Sequence, residues 1–294
     1  MAQPFLKWAG GKAKLAPAVL ERAPRWFRRY HEPFLGGGAI FFALAEARPL
    51  VAPRLNDANA DLIACYRAVR DEPEALLERL EALAGEYLSR PREERAAVYY
   101  RIRAAAPTDP LDRAARLIFL NRTCYNGLFR VNSKGEFNVP HGRYRNPRIA
   151  DRDRILAASS ALRDADLVCE DFEAACDAAE PGDFVYLDPP YVPLSATASF
   201  TAYTAGDFGP ADQQRLRDAF DRLTERGVAA LLSNSKHEAV ERLYEGRGYT
   251  FETVPMSRAI NSVPRGRAPV PELLIGNLEH PRVREALDTL AQHA

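Results

Sequence analysis

Short apolar runs that end on a polar or acidic residue recur along the chain. They are EPFLGGG (32–38), PRLND (53–57), ADLVCEDF (165–172), FVYLDPPY (184–191) and VAALLSNS (228–235). Runs of this length and composition, bounded by turn-forming residues, predict parallel strands of an α/β sheet. PELLIGN (271–277) predicts a further, late strand. Helical spacing follows the first run in GGAIFFALAEA and precedes VAALLSNS in PADQQRLRDAFDRLTERG. Strands alternating with helices predict a doubly wound sheet with helices on both faces.

The stretch from 58 to 150 breaks this rhythm. Residues 60–119 read as almost entirely helical, with LLERLEALAGEYL and AARLIFL the clearest pieces. NRTCYNGLFRVNSKGEFNVPHGRY (121–144) then places Asn-Gly and Lys-Gly turn signals between β-prone runs, which predicts a hairpin. The stretch is read as an insertion between the second and third sheet strands. No internal repeat or low-complexity segment is present.

At 294 residues, 47% hydrophobic and 27% charged, the composition is that of a soluble globular protein. No apolar run approaches the roughly 20 residues that span a bilayer. MAQPFLKWAGG lacks the basic-then-apolar pattern of a secretory signal. Cys65, Cys124, Cys169 and Cys176 show no metal-ligand spacing. The expectation is a cytoplasmic protein with reduced thiols and no metal site.

Lys plus Arg balance Asp plus Glu at 40 each, yet the basic residues cluster. Residues 1–30 carry Lys7, Lys12, Lys14, Arg22, Arg25, Arg28 and Arg29 against Glu21 alone. Residues 121–150 carry six basic residues against Glu136 alone, and Arg258, Arg265 and Arg267 have no acidic neighbour. Either these are unrelated solvated faces, or the fold joins them into a phosphate-binding groove.

In open α/β sheets ligands sit beyond the C-terminal ends of the strands, where the candidate chemistry of this chain gathers. Gly36, Gly37 and Gly38 link a strand to a helix, and glycines let a ligand approach the backbone closely. The spacing is not GxGxxG, and a tight strand–helix turn would need the same residues. Asp57, about twenty residues on, suits a ribose hydroxyl or simply the cap of the next helix. Glycine turn and acid together favour a nucleoside. WAGGK (8–12) lacks phosphate-loop spacing.

The strand ending in DPPY carries the sharpest signal. An exocyclic nucleobase amine is a poor nucleophile because its lone pair is delocalised into the ring. Two acceptors on the NH2 group would draw the nitrogen toward tetrahedral geometry and aim that pair. Asp188 supplies an acceptor-only carboxylate and Pro189 a carbonyl, while Pro189 and Pro190 lack the N–H groups that would compete. Tyr191 offers a stacking face. A plain Asp-Pro turn explains the prolines but not the whole set.

Taken in order, FLKWAGGK, EPFLGGGAIFF, NDANADLI, FLNRTCYNGLFRVNSKGEFNVPHGRY, DPPYVPLSATASFTAY, LLSNS and RxINSVPRGRxPVPELL resemble the bacterial and phage DNA adenine-N6 methyltransferases of the Dam type. The resemblance implies an S-adenosylmethionine-dependent, Rossmann-like catalytic domain over residues 1–57 and 151–294. Residues 58–150 would be an inserted helical and β-hairpin domain that recognises double-stranded DNA. It implies cofactor contacts from Trp8, Lys12, the turn Phe34 to Gly38, Asp57, Asp171, Phe172 and Asp188. Asp188, Pro189, Pro190 and Tyr191 would grip an adenine extruded from the duplex. Tyr125 would intercalate, and PLSATASFTAY would close over the base. Arg130 would read a guanine, Leu128 and Pro140 a thymine, and Lys7 another guanine, with Asn126 and Arg143 on the backbone. Together these imply the site GATC. Cys124 and Ser199 depart from the glycine and asparagine common in Dam proteins. Two rival readings remain: an amino-methyltransferase acting on cytosine N4 or RNA, and a DNA-binding relative without turnover.

Overall fold

The computed structural model describes residues 2–8, 10–191, 208–255 and 271–292. PLSATASFTAY with Ser199, and the segment holding Arg258, Arg265 and Arg267, lie outside them. Among the described residues seven strands form one sheet. They are β1 Tyr30–Glu32, β2 Arg54–Asn56, β3 Asp166–Val168, β4 Phe184–Leu187, β5 Ala229–Ser235, β6 Thr250–Val254 and β7 Glu272–Gly276. The order is β3-β2-β1-β4-β5-β7-β6. Strands β1 to β5 are parallel, whereas β7 runs antiparallel to β5 and β6. Chain order reverses between β1 and β4, the switch point at which such sheets bind ligands.

Both faces of the sheet are buried at β4, β5 and β7, as the apolar runs require. Phe184 and Tyr186 join one core and Val185 and Leu187 the other, because strand side chains alternate. The first core packs under the helices Ala39–Ala47, Ala60–Asp71 and Arg152–Leu162, the second under Pro210–Glu225 and Glu238–Tyr244. The helices Pro73–Leu88, Arg95–Ala104 and Pro110–Thr123 share the first core. Leu76, Leu80, Tyr87 and Tyr99 on these helices are fully buried. None of the described helices is long and apolar enough to cross a membrane.

Three local expectations are corrected. The first run is a strand only at Tyr30–Glu32; Pro33 lacks an N–H, and Gly36 and Gly38 turn the chain with φ of +49° and +68°. Strand β6 was not anticipated, since TFETV is an exposed edge strand with no apolar run. Asn126-Gly127 is not a hairpin turn but part of a 3-10 turn, Tyr125–Gly127. Gly127 is needed there for close approach: a Cβ on it would meet Lys7 Cδ at 2.5 Å. The hairpin instead turns at Asn132–Gly135, where Asn132 Oδ1 accepts from the Lys134 and Glu136 N–H groups at 2.9 and 3.0 Å. Its arms meet in two isolated bridges, Cys124 with His141 and Val131 with Phe137.

Candidate functional site

The glycine turn follows β1 and DPPY follows β4, so adjacent parallel strands deliver both to one edge of the sheet. Asp188 Oδ1 takes a 2.6 Å ion pair from Lys12 Nζ and a 3.2 Å hydrogen bond from Ser233 Oγ. No described residue donates to Asp188 Oδ2 or to the Pro189 carbonyl. The Pro190 carbonyl accepts from Gln213 Nε2 at 3.2 Å. An amine could therefore meet two acceptors without displacing Lys12.

Lys12 is 5% exposed, and its Nζ also donates to Gly10 O at 3.0 Å and lies 3.6 Å from Glu272 Oε1. Its ammonium stands 4.6 Å above the Tyr191 ring, whose hydroxyl donates to Glu272. Burial pushes both the Asp188 and Glu272 carboxyls above the usual carboxylate range, and Lys12 opposes the rise at each. Two carboxylates against one ammonium leave room for a further positive charge. Glu32, buried at the end of β1 and bonded by Tyr30 Oη at 2.7 Å, is pushed up to about 8 by burial.

The glycine turn is tied on both sides. Gly36 N donates to Asp57 Oδ2 at 2.9 Å, and its carbonyl accepts from Tyr66 Oη at 3.1 Å. Asp57 Oδ1 accepts from Asn59 N at 2.9 Å, and Asn59, not Asp57, caps the helix Ala60–Asp71. Two of roughly four lone-pair positions on Asp57 are thus taken. Trp8 packs on Gly36, where a Cβ would sit 2.9 Å from its ring, and stacks on Phe129 of the hairpin at 5.2 Å. It joins turn to insert.

Phe34 stacks on Phe172 at 5.3 Å, and Phe208 meets both, making an aromatic wall beside the turn. Asp171 is exposed; its Oδ1 caps the helix Phe172–Asp177 and pairs with Arg215 at 2.7 Å.

Tyr125, Asn126, Leu128, Pro140 and Arg143 lie in the 121–144 segment, and Lys7 of the N-terminal segment packs against it at Gly127 and Tyr144. Tyr125 N donates to Pro140 O at 2.8 Å, and Tyr125 is 47% exposed. Lys7 Nζ stands 4.5 Å over the Tyr144 ring, while Lys7 N–H and C=O are held by the Asn121 amide at 2.8 and 2.7 Å. Asn126 and Arg143 are exposed with positive φ, 55° and 54°. Arg130 stands further along the hairpin, its Nε donating to Asn138 Oδ1 at 2.7 Å. The basic segments divide: Lys12 pairs with Asp188 and Lys7 stands over Tyr144, whereas Arg22, Arg28 and Arg29 pair with Glu252, Glu180 and Asp166.

Glu272, Ser233 and Tyr186 belong to the site yet escaped the motif reading. Glu272 opens a predicted strand, a position with no expected ligand role. Because β7 is antiparallel, its start lies at the edge where the parallel strands end. Only the alternation in LLSNS hinted that Ser233 and Ser235 share a face.

The family model for D12 class N6 adenine-specific DNA methyltransferase matches residues 8–259. Type II methyltransferase M.MjaIII of Methanocaldococcus jannaschii is 42% identical over 270 residues, 88% of this chain and 93% of its own. Type II methyltransferase M1.LlaDCHI of Lactococcus lactis subsp. cremoris is 39% identical over 283 residues, covering 94% and 95%. The DNA adenine methylase of Escherichia coli K12 is 36% identical over 272 residues, covering 92% and 93%.

Proposed function

Because the chain belongs to the D12 class of N6 adenine-specific DNA methyltransferases, we propose that it methylates N6 of an adenine flipped out of duplex DNA, using S-adenosylmethionine, within GATC. The observation that carries the mechanism is the one-sided anchoring of Asp188: Oδ1 held by Lys12 and Ser233, Oδ2 and the Pro189 carbonyl not engaged by any described donor.

Asp188 Oδ2 and Pro189 O accept the two N–H bonds of the target amine and so aim its lone pair. Tyr191, fixed by Glu272, supplies the face on which the base stacks. Asp188 is also placed to take the proton that the methylated amine sheds. S-adenosylmethionine, when bound, supplies a methyl group made electrophilic by its sulfonium. The residues fit that group: the aromatic wall of Phe34 and Phe172 suits an adenine, and the remaining acceptor positions of Asp57 suit ribose hydroxyls. The surplus carboxylate suits a cation. Trp8 with the turn at Gly36 and Gly38 would hold the methionine end, and Asp171 would reach the adenine through its remaining oxygen. Lys12 serves as the anchor of Asp188.

Residues 58–150 act, on this reading, as the recognition unit. Lys7, Tyr125, Asn126, Leu128, Pro140 and Arg143 form one DNA-facing edge, and extrusion of the base costs a few kcal/mol of stacking and pairing. Arg130, steadied by Asn138, reads guanine. Arg130→Ala is expected to relax discrimination at one base pair by roughly 1–3 kcal/mol, measured as kcat/KM over all single-base variants of the site. Unchanged discrimination removes Arg130 from the readout.

The direct test is to incubate plasmid DNA with protein and S-adenosylmethionine and digest to nucleosides. N6-methyladenine is expected; N4-methylcytosine in its place, or no transfer despite binding, overturns the reading. Endonucleases that differ in sensitivity to GATC methylation then test the site.

A further inference from the structure

Behind Asp188 lies a chain of two hydroxyls that the DPPY motif does not contain. Ser233 Oγ donates to Asp188 Oδ1 at 3.2 Å and lies 2.8 Å from Tyr186 Oη. Ser233 and Tyr186 are both completely buried. They sit on neighbouring strands, where Leu187 pairs with Leu232, so the sheet sets the register of the donor against the carboxylate. Ser233 has a single proton, and it goes to Asp188. The bond from Tyr186 must then be one that Ser233 accepts. The donors thus run one way, Tyr186 to Ser233 to Asp188, and end on an anion.

A carboxylate held at its Cβ alone turns broadly about χ2 and exchanges its two oxygens. Ser233 and Lys12 both grip Oδ1, which leaves Oδ2 without a donor among the described residues. We propose that Ser233, oriented by Tyr186, is a positioning residue for methyl transfer: it pins one oxygen of Asp188 so that the other meets the target amine. The proposal rests on the reading of Asp188 as the acceptor that aims the amine. A serine that merely satisfies a buried neighbour would affect folding stability and nothing else.

The groups facing Asp188 are Lys12 from the N-terminal segment, Tyr186 and Tyr191 around its own strand, Glu272 from β7, and Glu32 with Tyr30 from β1. Burial raises the Asp188 carboxyl, and Lys12 and Ser233 oppose that rise. Removing the Ser233 hydroxyl deletes a donor to the anion, so the carboxyl moves further up and activity fails at a higher pH.

The test compares Ser233→Ala, Ser233→Thr, Tyr186→Phe and Asp188→Ala by single-turnover methylation across pH, with KM measured for DNA and for the cofactor. Ser233→Ala is expected to lower kcat roughly 10-fold and to move the acidic limb up by about one pH unit. Both KM values stay unchanged. Ser233→Thr, which keeps the hydroxyl, restores most of the rate, and Tyr186→Phe moves both readouts less and in the same direction. If Ser233→Ala does not fold, Tyr186→Phe carries the test. Parental kcat and acidic limb in the folded variants overturn the proposal while Asp188→Ala remains inactive. Normal turnover by Asp188→Ala overturns the underlying reading instead.

Discussion

Asp188→Ala is expected to lose about 10³-fold in methyl transfer while keeping its affinity for cofactor and duplex DNA. The loss is confined to kcat because the proposed role of the carboxylate is to aim an amine, an interaction that strengthens as nitrogen turns tetrahedral. Binding largely survives because the DNA-facing edge is formed by Lys7 and the insert, and most cofactor groups lie on the glycine turn and the aromatic wall, with Glu272 left as an acidic group beside the site. Lys12 is not left without an anion, since Glu272 stays 3.6 Å from its ammonium. Labelled-methyl transfer under single-turnover conditions, beside equilibrium binding of each ligand, separates the two effects. Turnover close to the parent's, or binding lost in step with turnover, would end the assignment of Asp188 as the aiming group.

Lys12→Met is expected to have the largest effect on stability, about 3 kcal/mol. That is the lower end of what removing one partner of a buried pair costs, because the Asp188 side chain retains 22% exposure while that of Lys12 has 6%. Met fills similar volume, so the loss is mainly electrostatic. Without the ammonium, Asp188 and Glu272 face each other across a buried site, and their carboxyls, already raised by burial, rise further. A group whose folded pKa lies above its unfolded value favours folding below the unfolded value, here about 4. That contribution disappears as pH climbs through the folded value. The deficit of Lys12→Met therefore grows from mildly acidic to neutral pH. Urea unfolding of parent and variant at pH 5 and pH 8 reads it; an equal deficit at both would show that Lys12 contributes by packing alone.

Much of the site could be read from short segments, because its key features are local. Strand ends are visible where apolar runs stop, and ligands gather at those ends in any open α/β sheet. DPPY is self-contained: the carboxylate, the missing N–H groups and the aromatic are fixed by covalent structure within four residues. The glycine turn is equally local, since positive φ at Gly36 and Gly38 follows from the absence of a Cβ. Asp57 was legible in position though not in full: its carboxylate secures the turn through Gly36 N–H as well as ending β2.

Other features came from the folded chain alone. The Asn126-Gly127 pair looks like a hairpin turn until the Lys7 side chain, far away in sequence, is packed against it. Strand β6 has no apolar run, and its place at the sheet edge comes from its pairing with β7. Lys12, which the resemblance assigns to the cofactor, is buried against Asp188 and Glu272, contacts that only the fold supplies. Ser233 meets Asp188 because β4 and β5 lie in register, and Glu272 reaches the site because β7 runs backward. The sequence by itself determined the acceptor corner, the turn and the alternation of strands and helices, all set by covalent geometry and short-range periodicity. Which charges neutralise the corner, and which oxygen of Asp188 is engaged by Lys12 and Ser233, was decided by tertiary structure. Those depend on strand order and direction, which arise from contacts between segments tens to hundreds of residues apart.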